Sequence, residues 1–288
     1  MLWSEGGSMG AYKILKCTDF STFSEDQKEY SKGILTLNLK SWDEFHNVVM
    51  IFNNNPDYIW RGQEKNWPLK ASFDRPLDNG GVRYADLADR KTKLKEILDD
   101  FKKCLNDLPS TSIFSDDEIW TIGQHYGLTT PLLDWTELPY IAAYFAFYKN
   151  KPEADRAIYA LNRKNELLIL KIKKEGQVLS RKKFTRFISR RHLDKIQDER
   201  LKKQRGEFTR ALNGNDIKEN VVKLYEKKVK KIGKHEDIYL AEILIPGRFK
   251  DECLQFLRAA NITHGTLFPD YPGAVEICKI QCPVLKES

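Results

Sequence analysis

Two short stretches concentrate the residue types that do chemistry. The first is Tyr58-Ile59-Trp60-Arg61-Gly62, an arginine closing an aromatic and β-branched run. An arginine at the end of a buried strand is costly to desolvate and needs an anionic or carbonyl partner. It is therefore either half of a core salt bridge or an anchor for a ligand. Gly62 beside it lets another backbone, or a ligand, come close. The second stretch, Gln124-His125-Tyr126-Gly127-Leu128-Thr129-Thr130-Pro131-Leu132-Leu133-Asp134-Trp135-Thr136, interleaves polar side chains with leucines that have to be buried. Buried polar groups must be hydrogen-bonded, so the set forms an internal network or a ligand cradle. His125 alone reads as a satisfied core histidine. The whole set is expensive to bury without a purpose.

Charge adds a third feature. The formal net charge is +7. Between Lys171 and Lys234 there are about twenty-two Lys and Arg against about eight acids, so that segment carries about +14 and the rest of the chain about −7. Within it, Arg181-Lys182-Lys183-Phe184-Thr185-Arg186-Phe187-Ile188-Ser189-Arg190-Arg191 alternates cations with aromatics. One reading is a solvated helical face. The other is a nucleic-acid site, phosphates on Arg181, Lys182, Lys183, Arg186, Arg190 and Arg191 and bases on the rings. RNA or DNA, or an acidic inhibitory protein, is the partner such a patch would fit.

The elements that must position these residues follow from local pattern. Tyr12 to Cys17 and Ile34 to Leu39 read as short strands. Ser41-Trp42-Asp43-Glu44 is a capping box opening a helix to about Phe52, with Phe45, Val48, Val49 and Phe52 on one face. Tyr58 to Gly62 follows as a buried strand. A long charged helix runs from about Tyr84 to Asn106. Ser115 caps another, with acids in its first turn, that leads into Gln124-His125. Leu138 to Tyr148 is apolar enough to be a buried helix on a sheet. Ala157–Leu161, Glu166–Ile172, Asp237–Ile245 and Ala274–Ile280 read as strands, Phe249–Ala260 as an amphipathic helix, and the basic segment as partly helical with a turn at Asn213-Gly214-Asn215. The class is α+β, a mixed or antiparallel sheet with flanking helices, in one domain over residues 11–288. The basic segment, at about 173–234, looks like an insertion, and residues 1–10 like a flexible start.

The ordered motifs resemble the FRG-domain family, named for its (F/Y)RG tripeptide. Trp60-Arg61-Gly62, then Gln124-His125-Tyr126-Gly127 into Leu132-Leu133-Asp134-Trp135-Thr136, carry the likeness. So do Arg200 with Gln204-Arg205-Gly206-Glu207-Phe208-Thr209, and Ile262 through Thr266-Leu267-Phe268-Pro269-Asp270 with Gly273. A second likeness is to ADP-ribosyltransferases of the arginine–serine–glutamate type. Arg61-Gly62 resembles their first core strand. Asp134-Trp135-Thr136 followed by Ala142-Ala143-Tyr144-Phe145-Ala146 resembles their Ser-Thr-Ser strand and A-x-x-F-A helix. Glu242-Ile243-Leu244-Ile245-Pro246 resembles their catalytic glutamate strand. Asp-Trp-Thr replaces Ser-Thr-Ser, and Leu240 stands where many of those enzymes have a second acid.

That resemblance implies transfer of ADP-ribose from NAD to a macromolecule, RNA or DNA among the candidates, in a neighbourhood where toxins and phage-defence proteins are common. Breaking the nicotinamide–ribose bond builds positive charge on the sugar, which a carboxylate stabilises. Glu242 is assigned that role, with Asp270 as its substitute; the bland account of Glu242 is a half-exposed strand carboxylate. Arg61 suits the diphosphate or ribose, and the Thr136 hydroxyl suits the nicotinamide ribose or the acid. Tyr126, Trp135 or Trp60 could stack on nicotinamide, and His125 could bind a ribose hydroxyl. Gly62, Gln124, Asp134 and Gln204 complete the expected NAD site. Two alternatives stay open. One is a non-catalytic nucleic-acid-binding module with Arg61 and Asp134 as an internal ion pair. The other is a nuclease drawing on Asp134, His125 and Asp270. There is no Walker A loop or G-x-G-x-x-G for phosphoryl or hydride transfer. The five scattered cysteines lack a C-x-x-C pair, and the histidines are not at ligand spacing, so a reducing cytoplasm and no structural metal are expected. No apolar run reaches membrane-spanning length.

Overall fold

The computed structural model describes residues 14–52, 55–105, 114–149, 154–163, 169–174, 177–183, 185–188 and 199–281. The expected flexible start, residues 1–10, lies outside them. β1 (Lys28–Ser31) and β2 (Ile34–Asn38) form a hairpin. Its two-residue turn, Lys32-Gly33, has positive φ at both positions, which suits the right-handed twist of the strands. α1 (Trp42–Phe52) buries Phe45, Val48, Val49 and Phe52 as its spacing predicts. The Ser41 hydroxyl accepts from the Glu44 amide at 3.2 Å, while the Glu44 carboxylate turns back one residue further, to the Lys40 amide at 2.6 Å.

β3 (Tyr58–Gln63), α2 (Leu87–Leu105), α3 (Asp116–His125), β4 (Leu133–Thr136), α4 (Pro139–Phe147) and β5 (Arg156–Asn162) come next. The Ser115–Glu118 capping box starts α3. β6 (Ile169–Lys174) and β7 (Gln177–Lys183) pair as a separate hairpin, and β8 (Thr185–Ile188) joins the main sheet. α5 (Glu199–Lys203), β9 (Gly206–Ala211), α6 (Ile217–Ile232), β10 (Leu240–Ile245), α7 (Lys250–Ala259), α8 (His264–Leu267) and α9 (Tyr271–Gln281) complete the order. The main sheet has eight strands in the order β1-β2-β10-β5-β3-β4-β9-β8. β10 runs parallel to β2, and the other pairs are antiparallel. No helix among the described residues is long and apolar enough to cross a membrane.

Alternation along the strands divides the core. Trp60, Ile158, Ala160 and Ile243 face α1, α4 and α7 on one side. Ile59, Tyr159, Leu161 and Leu240 face α6 on the other, through Ile217 and Val221. A third cluster holds α2 and α3 through Leu94, Leu98, Trp120 and Phe73. The buried pair Arg90–Asp74 ties this part together, with Arg90 Nε and Nη2 at 2.6 and 2.7 Å from the two carboxylate oxygens.

Three expectations are corrected. Residues 274–280 are not a strand but lie in α9. Asp270 caps that helix, its carboxylate accepting from the Gly273 amide at 2.8 Å, and the cap overrides the alternating pattern that follows. The strand expected at Tyr12–Cys17 reduces, where it is described, to one bridge from Lys16 to Asp237 before a 3-10 turn at Cys17–Phe20. The basic segment is helical in α5 and α6, but much of its described part is strand: β7, β8 and β9.

Candidate functional site

Arg61 sits in β3 with a side chain only 15% exposed. Its Nε donates to Gln63 Oε1 at 3.1 Å and its Nη1 to the Asp134 carbonyl at 2.8 Å. The Asp134 carboxylate lies 3.8 Å from Nη1. Nη2 has no hydrogen-bond partner among the described residues, and Arg61 lines a cleft of about 690 Å³, within the range of small-molecule sites. Burial pushes the Arg61 pKa down, Asp134 opposes that, and Arg75 reinforces it. A guanidinium so placed favours an anion.

The cleft is cationic and aromatic. Arg61, Lys70, Arg75, Lys149 and Arg200 line it, against the carboxylates of Glu64 and Asp134. Its rings include Trp60, Trp67, Phe145, Tyr148, Phe208 and Phe268. Arg200 enters from α5, its guanidinium 4.7 Å from the centre of the Phe268 ring and 2.9 Å from Asp270. Asp270 does not line this cleft but aims the arginine that does. Burial would raise its carboxyl, but the Gly273 amide and Arg200 outweigh that and hold its pKa below the ordinary aspartate value. Glu64, which also lines the cleft, is 3.2 Å from Lys149.

The second motif divides in two. Gln124 bridges Thr130, which donates to its Oε1, and Asp134, whose carboxylate accepts from its Nε2 at 2.9 Å. That bridge fixes Asp134 beside Arg61. The remainder braces the fold. Thr136 donates to the Gln204 carbonyl at 2.7 Å and accepts from the Leu138 amide at 3.2 Å, just ahead of α4. Trp135 is buried and donates from Nε1 to Thr209 at 2.8 Å. Gln204 donates to the Leu267 carbonyl at 3.1 Å, joining β4 to the C-terminal motif. Gly62 admits a backbone rather than a ligand: a Cβ there would lie 1.8 Å from the Ala142 carbonyl oxygen of α4.

The structure therefore brings Arg61, Gly62, Gln124, His125, Asp134, Trp135, Thr136 and Gln204 to one cleft. It leaves Tyr126 outside, 80% exposed. Glu242 is also outside. In the register of the sheet it lies beside Tyr159, and Tyr159 beside Arg61, so a whole strand separates the two. Its carboxylate is held by Lys218 at 2.5 Å, with Thr36 donating at 3.4 Å. The Tyr159 hydroxyl donates to Asn66 at 2.7 Å. The side chains of Arg181, Lys182, Lys183, Arg186, Arg190 and Arg191 lie outside the description. Among the described residues, no group of three or more His, Cys, Asp or Glu is placed to hold a metal ion.

Sequence reasoning missed Glu64, Trp67, Lys70, Arg75 and Lys149, and gave Arg200 no role of its own. The available signal was Lys65-Asn66-Trp67-Pro68-Leu69-Lys70 and Arg75-Pro76. They carry the same basic–aromatic alternation as residues 181–191, directly after Arg61-Gly62.

The FRG domain family model matches residues 56–155, from just ahead of β3 to the residue before β5. This chain carries an FRG domain. The matched stretch holds Arg61, Gln124 and Asp134, and the arm with Trp67, Lys70 and Arg75. Gln204 and the Arg200–Asp270 clamp lie beyond it. No curated protein and no solved structure matches the chain.

Proposed function

We propose that the FRG domain binds NAD in this cleft and transfers ADP-ribose to a macromolecular acceptor, with Asp134 in the part first assigned to Glu242. The observation that carries the reading is the buried Arg61 guanidinium, whose Nη2 has no hydrogen-bond partner among the described residues and which lines a cleft with more cations than carboxylates. Diphosphate suits such a group because charge-assisted bonds to a planar guanidinium are strong and directional. Arg200, steadied by Asp270 and Phe268, is the second cation available to it. The aromatic walls suit bases.

Bound NAD would supply the ADP-ribosyl group, with neutral nicotinamide leaving and the acceptor losing a proton. This chain's contribution is to hold the diphosphate, exclude water with its rings, and set a carboxylate beside developing positive charge on the sugar. Asp134 is the half-exposed carboxylate of the cleft, kept in place by Gln124 and Arg61. A cytoplasmic setting and a toxin or phage-defence role belong to the same proposal and rest on the resemblance to that enzyme group.

One observation favours a second reading. Arg61 and Asp134 are within ion-pair distance, as a non-catalytic nucleic-acid-binding module would use them. Labelled NAD incubated with RNA, DNA and protein mixtures separates the two. Nicotinamide release that disappears in both Arg61→Ala and Asp134→Asn supports transfer. Tight nucleic-acid binding by wild type with no nicotinamide release supports the second reading.

A further inference from the structure

Trp67 is the exposed tryptophan of the described residues. It is 45% accessible, whereas Trp42, Trp60, Trp120 and Trp135 are at most 3%. A large indole left half in water at the lip of a cleft forgoes stabilisation that burial would give it. Its exposure is not the result of a loose backbone. The Trp67 carbonyl accepts from Gln63 Nε2 at 2.9 Å, and its amide donates to the Lys65 carbonyl at 2.8 Å. Two residues on, Leu69 is buried, its amide donating to Asp216 at 3.0 Å and its carbonyl accepting from Ile217 at 3.2 Å. Phe73 is buried as well, and its amide donates to the Thr130 carbonyl at 3.0 Å. The arm from Lys65 to Pro76 is thus pinned by its backbone, while the Trp67 indole stays half-exposed in the cleft lining.

The charges of the arm point the same way. Lys65, Lys70 and Arg75 have no carboxylate partner among the described residues, and Arg75 spends only its Nε, on the Lys70 carbonyl at 3.3 Å. The nearby acids are turned inward, Glu64 to Lys149 and Asp74 to Arg90. Beyond Pro76 the first exposed acid is Asp78. Arg75 is close enough to Arg61 to depress its pKa, a repulsion that an anion between them relieves. Arg61 and Arg200 already provide two cations for a diphosphate, so those of the arm are in excess. One hydrogen-bonded path connects the two regions: Arg61 donates to Gln63, and Gln63 to Trp67.

We infer that this arm is the acceptor edge of the cleft and takes a single strand of nucleic acid, with one base on the Trp67 indole and phosphates on Lys70 and Arg75. An acidic protein would satisfy the cations but leave the ring unused. A duplex would keep its base faces stacked inside and away from the indole. The inference names the acceptor for the transfer proposed above and in that sense rests on it. Strand binding without NAD is nonetheless measurable by itself.

Fluorescence anisotropy of end-labelled RNA and DNA single strands of roughly 12 nucleotides, with NAD omitted, tests it. Trp67→Ala should weaken binding about tenfold, Trp67→Phe should retain most of it, and Lys70→Gln with Arg75→Gln should flatten the salt dependence. Melting curves confirm that each variant is folded. Four results overturn the inference: unchanged binding in Trp67→Ala; a duplex binding as tightly as the single strand; loss confined to Arg181→Gln with Lys182→Gln; or Trp67→Ala abolishing NAD binding while strand binding persists. Normal strand binding without nicotinamide release would sink the transfer proposal and leave this one standing.

Discussion

Replacing Gly62 by alanine tests whether the glycine after the anchor arginine serves packing or a ligand. The new Cβ would lie 1.8 Å from the Ala142 carbonyl oxygen and 2.8 Å from both the Ala142 carbonyl carbon and the Ala146 amide nitrogen. Ordinary contact needs more than 3 Å, and all three atoms are backbone, so no rotamer change relieves the clash. β3 and α4 have to separate. Overpacking a core costs about 1–3 kcal/mol, and a clash with helix backbone belongs at the upper end. For a chain of this size roughly 3 kcal/mol lowers the melting temperature by about 6–12 °C. Thermal denaturation followed by circular dichroism reads that shift, and calorimetric titration with NAD reads the cleft. The reasoning is refuted if Gly62→Ala melts with wild type while nucleotide binding is lost, because the glycine would then face the ligand.

Thr136→Val keeps the shape but removes the hydroxyl that links the Gln204 carbonyl and the Leu138 amide. It should lower stability by about 1–3 kcal/mol in urea titrations and leave NAD affinity within about twofold of wild type at constant fold; a catalytic hydroxyl would show the reverse. Arg90→Ala strands Asp74 in the core and should cost about 3–5 kcal/mol, whereas an unchanged urea midpoint would mean that the pair is not buried in solution. Asp270 has a depressed pKa, so it is the more acidic in the folded state. Its contribution to stability is present above the unfolded pKa and is lost as pH falls below about 4 towards the folded value. Wild type should therefore lose more stability than Asp270→Asn between about pH 5 and pH 3, and parallel losses would contradict the Arg200 clamp.

The legible parts of the fold were those fixed locally. Ser115 and Glu118 announce α3, the small and aromatic residues of Pro139–Phe147 announce a buried helix, and the apolar runs of β3, β5 and β10 announce strands. At the C-terminus local signals conflicted. Residues 274–280 alternate like a strand, yet Asp270 caps a helix there, and the cap prevails. β7 was obscured because Arg181, Lys182 and Lys183 mask its strand period, and β8 and β9 are short strands inside a segment read for its charge.

The site divided along similar lines. Arg61, Gln124 and Asp134 were legible because they sit in two compact motifs that converge through one pair of neighbouring strands. Thr136 and Trp135 belong to the second of these motifs and Gln204 to a later one, but sequence does not distinguish a hydroxyl or amide aimed at a ligand from one aimed at a neighbouring carbonyl. Glu242 lies on a correctly expected strand. It misses the cleft because β5 is inserted between β10 and β3, and strand order is set by pairings distant in sequence. Trp67, Lys70 and Arg75 lie in a loop without periodicity, where only composition could have marked them.

The central claim is that Arg61 anchors a nucleotide diphosphate in the cleft, and calorimetric titration of NAD into wild type, Arg61→Lys and Arg61→Ala tests it most directly. Removing a charge-assisted bond should weaken binding about tenfold or more in Arg61→Ala, with Arg61→Lys in between and all three proteins equally folded. Equal affinity in the three, or no saturable binding to wild type, would contradict it.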